Sequence, residues 1–466
     1  MDKSNVQGLV RAPYRYRRSR HLLFEVPVGA DGKGFLGSIL PRVCHGATDL
    51  LVPQSALLNV AFTAAGLASF GVDAKLIAEL DLDFREGPVG ISMGDEPHSL
   101  SDQATWWDSQ DLESHLHLTV QIYARDAETL KDETDKVLAE AAVAGLIELL
   151  PRRIPDHEGS LRLDGAALPR AEGDTAAGAK VHFGYRDGLS QPEVAWKAEA
   201  LDEGMRSRGV LHRREFLLGY SDPSASSSPN GGQAADYFRD SSYLVLRWMK
   251  QDVGAFENFL STAAERLGPI DSLEDPREYV AAKMMGRWRD GTPLTLSPDR
   301  RNPILNCEPF TYQAADPHGH RCPFAAHIRI VNPRDQPLSN AEVVGVPRLI
   351  RRGMPYGPEW PSRQIEDDGI DRGIIGIFLC TSIVRQFYTI LHWISHTDFS
   401  PSFSVERLHD QDILFGNRLV GRSSRTMSIP TPTGEKLVQG LPDFVHTRGT
   451  SFFLLPSMST LRSMTK

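Results

Sequence analysis

Ser242-Tyr243-Leu244-Val245-Leu246-Arg247-Trp248-Met249 is followed shortly by Asp252, then by Phe256, Phe259, Leu260 and Ala263, with Gly268 beyond them. Successive side chains of a strand point to opposite faces, so Tyr243, Val245 and Arg247 share one side of an extended Ser242–Met249. Asp252 is a residue type whose carboxylate accepts from the free N–H groups at a helix start. The apolar positions after it recur at helical spacing, and a glycine at the end lets the chain leave the helix. The stretch therefore reads as strand, short acidic turn, helix.

The same order occurs in the first half. Leu116, Leu118, Val120 and Ile122 alternate with His117, Thr119, Gln121 and Tyr123, which predicts a half-buried strand. Asp126 then caps a helix expected to run to about Leu150 through Leu130, Val137, Leu138, Ala141 and Leu149, with Pro151 as the stop. Further strands are expected at Ile374–Thr381 and Ser451–Leu455. Two strand–helix units imply two α+β domains, each an antiparallel sheet with helices on one face, at 1–195 and 196–466. The stretches 151–180, 221–236 and 289–321 are rich in Pro, Gly, Asp, Ser or Asn and read as loops.

Composition sets outer bounds. The 466 residues are 41% hydrophobic and 24% charged, ordinary for a globular protein large enough to enclose a cofactor. The net charge of −9 gives no basic stripe for neutralising phosphates, so nucleic acid is not an expected partner. Cys44, Cys307, Cys322 and Cys380 form no C-x-x-C pair, and buried free thiols are expected. Arg17-Arg18-Ser19-Arg20 has the look of an export signal, but Glu25, Pro27 and Asp31 interrupt any apolar segment behind it. With no apolar run of about 18 residues, no membrane span is expected, and a cytoplasmic location is. His115 and His117 share one strand face, but no Cys or carboxylate spacing beside them makes a metal site.

Three segments carry candidate chemistry. In Val181-His182-Phe183-Gly184-Tyr185-Arg186-Asp187-Gly188-Leu189-Ser190-Gln191-Pro192, two glycines bracket Asp187, so the backbone can turn sharply and present that carboxylate. In Arg321-Cys322-Pro323-Phe324-Ala325-Ala326-His327-Ile328-Arg329-Ile330-Val331-Asn332-Pro333-Arg334-Asp335, a histidine follows an apolar run and precedes basic residues. In Leu349-Ile350-Arg351-Arg352-Gly353-Met354-Pro355-Tyr356-Gly357, adjacent arginines on an extended segment must face opposite ways. Singly, these are also compatible with an ordinary turn, a core histidine and a solvated basic loop.

Together, in order and spacing, they resemble the dye-decolorizing peroxidases. Gly184-Tyr185-Arg186-Asp187-Gly188 is similar to that family's G-x-x-D-G signature, Cys322–Asp335 to its proximal-histidine segment, and Arg351–Gly357 to its distal-arginine segment. Asn59–Gly66, Ser242–Arg247, Ala282–Trp288 and Arg448–Ser457 also look like family landmarks, so the resemblance spans nearly the whole chain. It implies two ferredoxin-like domains, arranged like a dimeric α+β barrel, with haem b held mainly by the C-terminal one. It implies H2O2-dependent oxidation of dyes, phenols or other organic donors, with self-association allowed. Asp187 would act as acid and base, with activity favoured under acidic conditions. Arg351, or alternatively Arg352, would stabilise charge on the leaving oxygen, and His327 would ligate iron. Arg329 and Arg334 would meet the haem propionates, or else simply surface carboxylates, and Phe378 would cover the haem.

The sequence departs from the family at two places. An acid that backs the ligating histidine is expected just after Gln386-Phe387, where Tyr388 stands, so the partner of His327 is left open between another acid, a carbonyl and water. Gly376 stands where a bulky residue is usual, which predicts a roomier pocket. Bulky donors would need a surface relay residue; Trp106, Trp107, Trp248, Trp288, Trp360 and Trp393 qualify by type alone. The alternative readings are a haem-handling protein that removes iron or stores porphyrin, and a haem-binding module without activity. Both would need the pocket but not the pairing of Asp187 with Arg351.

Overall fold

The computed structural model describes residues 2–50, 54–151, 162–169, 180–197, 200–207, 209–221, 229, 231–268, 275–305, 309–338, 346–361, 367–397, 399, 411–418 and 425–466. Cys307, most of the stretch 151–180 and half of the stretch 221–236 lie outside the described residues, and the expected loop at 221–236 gives way to a helix at Gly232–Tyr237. Cys44, Cys322 and Cys380 are buried free thiols.

The first half contributes β1 (Arg18–Glu25), β2 (Ala56–Phe62), β3 (Leu118–Ala124), β4 (Ile147–Leu149) and β5 (Leu163–Ala166). A small parallel pair follows, β6 (Val194–Ala195) and β7 (Leu211–His212). The second half contributes β8 (Ser242–Gln251), β9 (Ile350–Arg351), β10 (Met354–Tyr356), β11 (Gly373–Cys380), the hairpin β12 (Thr426–Thr431) and β13 (Gly434–Gln439), and β14 (Val445–Leu455). Ten of these join one sheet in the order β10-β11-β8-β14-β2-β3-β1-β4, with β9 on β11 and β5 on β1.

Numbered within its own half, each set of four strands runs 2-3-1-4, the ferredoxin-like order produced by β-α-β-β-α-β connections. The two halves meet edge to edge where Leu454 of β14 faces Phe62 of β2. The expected pair of ferredoxin-like units is thus present. The barrel-like closure is not: the described strands form an open path from β10 to β4.

The helix after β3 spans Ala127–Val143, with Asp126 accepting from the Thr129 amide as its cap. It ends earlier than the apolar pattern predicts. Gly145 takes a left-handed φ of 78°, and Ile147–Leu149, expected as helix, instead pairs as an edge strand with β1. In the second half Asp252 accepts from the Ala255 amide at 2.8 Å and starts the helix Val253–Leu267, which Gly268 ends at φ 68°.

β8 is central, between β11 and β14, and so is buried over most of its length. Its two faces serve different purposes. Trp248 stacks on Trp107, ring centroids 6.2 Å apart, while Arg247 and Met249 on the opposite face line a cavity. Register sets Arg247 beside Gly376, Met249 beside Ile374 and Val245 beside Phe378, so β8 and β11 together floor that cavity. Residues 181–185 lie before the 195/196 division, yet Phe183 and Tyr185 pack into the C-terminal core with Val253, Phe256 and Phe444.

Glu113 lies under β14, its Oε1 accepting from Ser451 Oγ at 2.7 Å and Trp107 Nε1 at 3.2 Å. Burial pushes its carboxyl up from 4.5 to about 7, because these bonds do not replace the water lost to the charged form. The folded state therefore holds this proton more tightly than the unfolded chain does. Its contribution to stability is complete below pH 4.5 and is lost as pH rises through about 7. In Glu113→Gln, chemical denaturation between pH 4.5 and 7 should show a flatter stability profile and a higher midpoint at pH 7 than the parent.

Candidate active site

His327 opens the short helix His327–Val331, directly after the buried Ala325 and Ala326. Its Nδ1 lies 2.7 Å from Asp412 Oδ2, and its ring lies against Phe415 at 4.5 Å. A carboxylate only accepts, so the ring proton belongs on Nδ1 and the Nε2 lone pair is left for a ligand. Nε2 has no hydrogen-bond partner among the described residues, and His327 lines the cavity. Asp412 is fully buried, and its Oδ1 accepts the Leu414 and Phe415 amides at 2.8 and 3.0 Å.

Asp412 is thus the acid sought after Gln386-Phe387. Tyr388, at the expected place, accepts the Val89 amide through its hydroxyl instead. No sequence signal marks Asp412, an aspartate on a loop without periodicity, 85 residues from the histidine it supports.

Asp187 lines the same cavity on a separately fixed loop. Tyr185 donates its hydroxyl to Ala281 O at 2.6 Å, and Phe183 packs on Phe256 at 4.5 Å. Gly184 and Gly188 take φ values of 82° and 79°, so the bracketing glycines do supply the left-handed turns that a side chain would resist. Beyond the turn, Arg351 Nη2 donates to Leu189 O at 2.8 Å, and the Gln191 side chain pairs with both backbone groups of Arg351. The Asp187 loop is therefore tied directly to Arg351. The Asp187 carboxylate is exposed and has no hydrogen-bond partner among the described residues.

The arginine pair divides as an extended segment requires. Arg351 lines the cavity, whereas Arg352 turns away and donates to Leu9 O, Val10 O and Arg351 O. Arg334 also lines the cavity, its guanidinium 3.7 Å from the Phe310 ring centroid. Arg348, which the sequence reading passed over, stands with them and donates to Ser190 O. Burial, then the charges of Arg351 and Arg334, push it down to about 10. Three neighbouring guanidiniums on one wall create a positive potential that favours an anion.

Arg329 does not belong to this wall. It is fully buried outside the cavity lining, donating to Asp316, Gln336 and the Cys322 carbonyl, between the Tyr312 and Phe324 rings. The expectation that it meets a propionate is corrected: in the helix beginning at His327 its side chain points into the core. Phe378 is in the cavity, 5.6 Å from Phe387. Gly376 does not enlarge the pocket, because a Cβ there would lie 2.7 Å from the Phe378 ring and 3.0 Å from Met249 Cε. The space is already filled.

No family model matches the chain. It is 27% identical to the dye-decolorizing peroxidase of Mycena epipterygia, across all of this chain and 87% of the relative. It is 28% identical to the multifunctional dye peroxidase DyP2 of Amycolatopsis sp., across 87% of this chain and 82% of the relative. A dye-decolorizing peroxidase solved with 2,6-dimethoxyphenol superposes with a TM-score of 0.79 at 23% identity, covering both chains in full. Over its whole length the chain is similar to dye-decolorizing peroxidases. That likeness identifies it as an enzyme of the peroxidase type.

Of the tryptophans considered as relays, Trp106, Trp107, Trp248, Trp288 and Trp393 are buried, and Trp360 is partly covered by Arg372 at 5.0 Å. His117 Nδ1 accepts the Val26 amide, and His115 lies 3.2 Å from Glu25. No described helix is long and apolar enough to cross a membrane. The placement of Arg329 has a measurable consequence. Arg329→Ala strands the buried Asp316 carboxylate and should cost about 3–5 kcal/mol in chemical denaturation. A loss below about 1 kcal/mol would contradict the buried ion pair.

Proposed function

We propose that this enzyme binds haem b in the cavity and uses H2O2 to oxidise dyes, phenols or similar organic donors. The observation that carries this reading is one cavity lined by a carboxylate-backed imidazole, a separately fixed aspartate and a cationic wall. The donor set suits the cofactor. His327 offers Nε2 to iron, Arg334 and Arg348 suit the propionates, and Phe378 with Leu391 and Ile394 gives apolar walls for a porphyrin face. Bound haem would supply the redox-active iron at which peroxide is reduced.

The chain's own groups manage protons and charge. Asp187 takes a proton from one peroxide oxygen and returns it to the other as the O–O bond breaks, a role its lack of a competing partner leaves open. Arg351, a fixed cation tied to the same loop, stabilises negative charge on the departing oxygen. Asp412 increases the basicity of His327 through Nδ1. The domains 1–195 and 196–466 go with this reading, the first lending its 181–191 loop to the site of the second. A haem-handling role would need the pocket but has no use for the tie between the Asp187 loop and Arg351.

Stopped-flow mixing of the haem-loaded protein with H2O2 tests the assignment. Asp187→Asn should slow the first absorbance change by about 10²–10⁴-fold. Arg351→Leu should slow it by about 10²–10³-fold. Unchanged rates would remove either residue from the mechanism. His327→Ala should lose the parent's haem spectrum, and retention of it would refute the ligand assignment.

A further inference from the structure

Asp412 sits on the segment 411–418, whose shape is fixed from within. Arg418 is 4% exposed, and its guanidinium is directed at main-chain carbonyls. Nη1 donates to Asp412 O at 2.8 Å, Nη2 to Ile413 O, and Nε to Pro442 O at 3.4 Å. The Arg418 amide donates to Gln411 Oε1 at 2.9 Å, closing the segment into a loop. Gln411 Nε2 then donates to Asn417 Oδ1, and Asn417 Nδ2 to Gly94 O at 2.8 Å, anchoring the loop to the preceding half.

Two features show that this arrangement is specific. A Cβ at Gly416 would lie 2.8 Å from Arg418 Nη1 and 2.5 Å from Asp412 O, so only glycine leaves room for the guanidinium. Arg418 itself adopts a φ of 51°, a left-handed conformation that costs a non-glycine residue energy and persists when its surroundings fix it. Among the described residues no carboxylate lies within ion-pair distance of Arg418, and its guanidinium donates to the main-chain carbonyls of this loop and of Pro442. A buried cation so placed needs a local reason.

We propose that Arg418 is a positioning residue for His327: it grips the carbonyls of Asp412 and Ile413 and so holds the Asp412 carboxylate against His327 Nδ1. The inference rests on the reading of His327 as iron ligand. Without the grip the loop relaxes, the bond to Nδ1 lengthens, and the imidazole becomes a weaker electron donor. Groups that orient a ligating histidine tune its basicity, and ligand basicity sets the iron potential.

The test uses the full chain loaded with haem and reads two properties other than turnover: the ferric/ferrous reduction potential and the iron–histidine stretching frequency of the ferrous form. Asp412→Asn is measured in parallel as the reference. Arg418→Met should shift the potential upward and the stretch downward, in the sense of Asp412→Asn, while Arg418→Lys should fall between Arg418→Met and the parent. Should Arg418→Met not fold, Gly416→Ala, which crowds the guanidinium without removing it, should shift both signals the same way. A folded, haem-loaded Arg418→Met or Gly416→Ala with parental signals, while Asp412→Asn moves them, overturns the role of Arg418 alone. If Asp412→Asn moves neither signal and His327→Ala keeps the parental spectrum, it is the ligand reading that falls.

Discussion

A single hydrogen bond organises the site: His327 Nδ1 to Asp412 Oδ2, 2.7 Å long, with the carboxylate wholly buried. A carboxylate at that depth is expensive unless its remaining lone pairs are met. The Leu414 and Phe415 amides meet them, which requires the chain to fold back tightly just after Asp412. That turn in turn places Phe415 against the imidazole. One bond thus fixes the tautomer, the ring orientation and the packing on one side of the cavity.

The part of the lining that carries Asp187 is built on different principles. The Asp187 loop depends on apolar anchors, Phe183 and Tyr185, sunk into a core that belongs to the other half of the chain. Its far end is joined to Arg351 by hydrogen bonds, which hold the Asp187 loop and Arg351 to one another. Among the described residues the two ferredoxin-like halves are hydrogen-bonded within the sheet where Leu454 meets Phe62, yet the loop supplied by one is embedded in the other. The integrity of the site therefore rests on side-chain packing across the halves more than on the continuity of the sheet.

Much of this was legible in the sequence, for physical reasons that differ by residue. The strands β3 and β8 and the capped helices after them follow from period-two and period-3.6 patterns that depend only on local burial. Asp187 and Arg351 were singled out by the resemblance of their segments: flanking glycines announce only a turn, and adjacent strand residues face opposite ways without saying which of Arg351 and Arg352 faces the cavity. The end of the helix after β3 was misjudged, since Gly145 outweighs an apolar pattern that continues into an edge strand. Arg329 was misplaced because a charge near a histidine says nothing about which side of a short helix it occupies. Asp412 and Arg348 were missed altogether: each acts through contacts distant in sequence, and neither sits in a pattern that local physics would mark.

The glycine at 376 gives the cavity a further property. Its absent side chain is occupied by the Phe378 ring and by Met249 Cε, so the two positions on β11 compete for one volume. Interiors packed to crystal-like density do not stretch to admit both. Pocket capacity is then conserved across the pair: bulk can pass from 378 to 376, or the reverse, but cannot be added at one without being surrendered at the other. The size of this part of the cavity is therefore a joint property of two positions on one strand rather than of either alone.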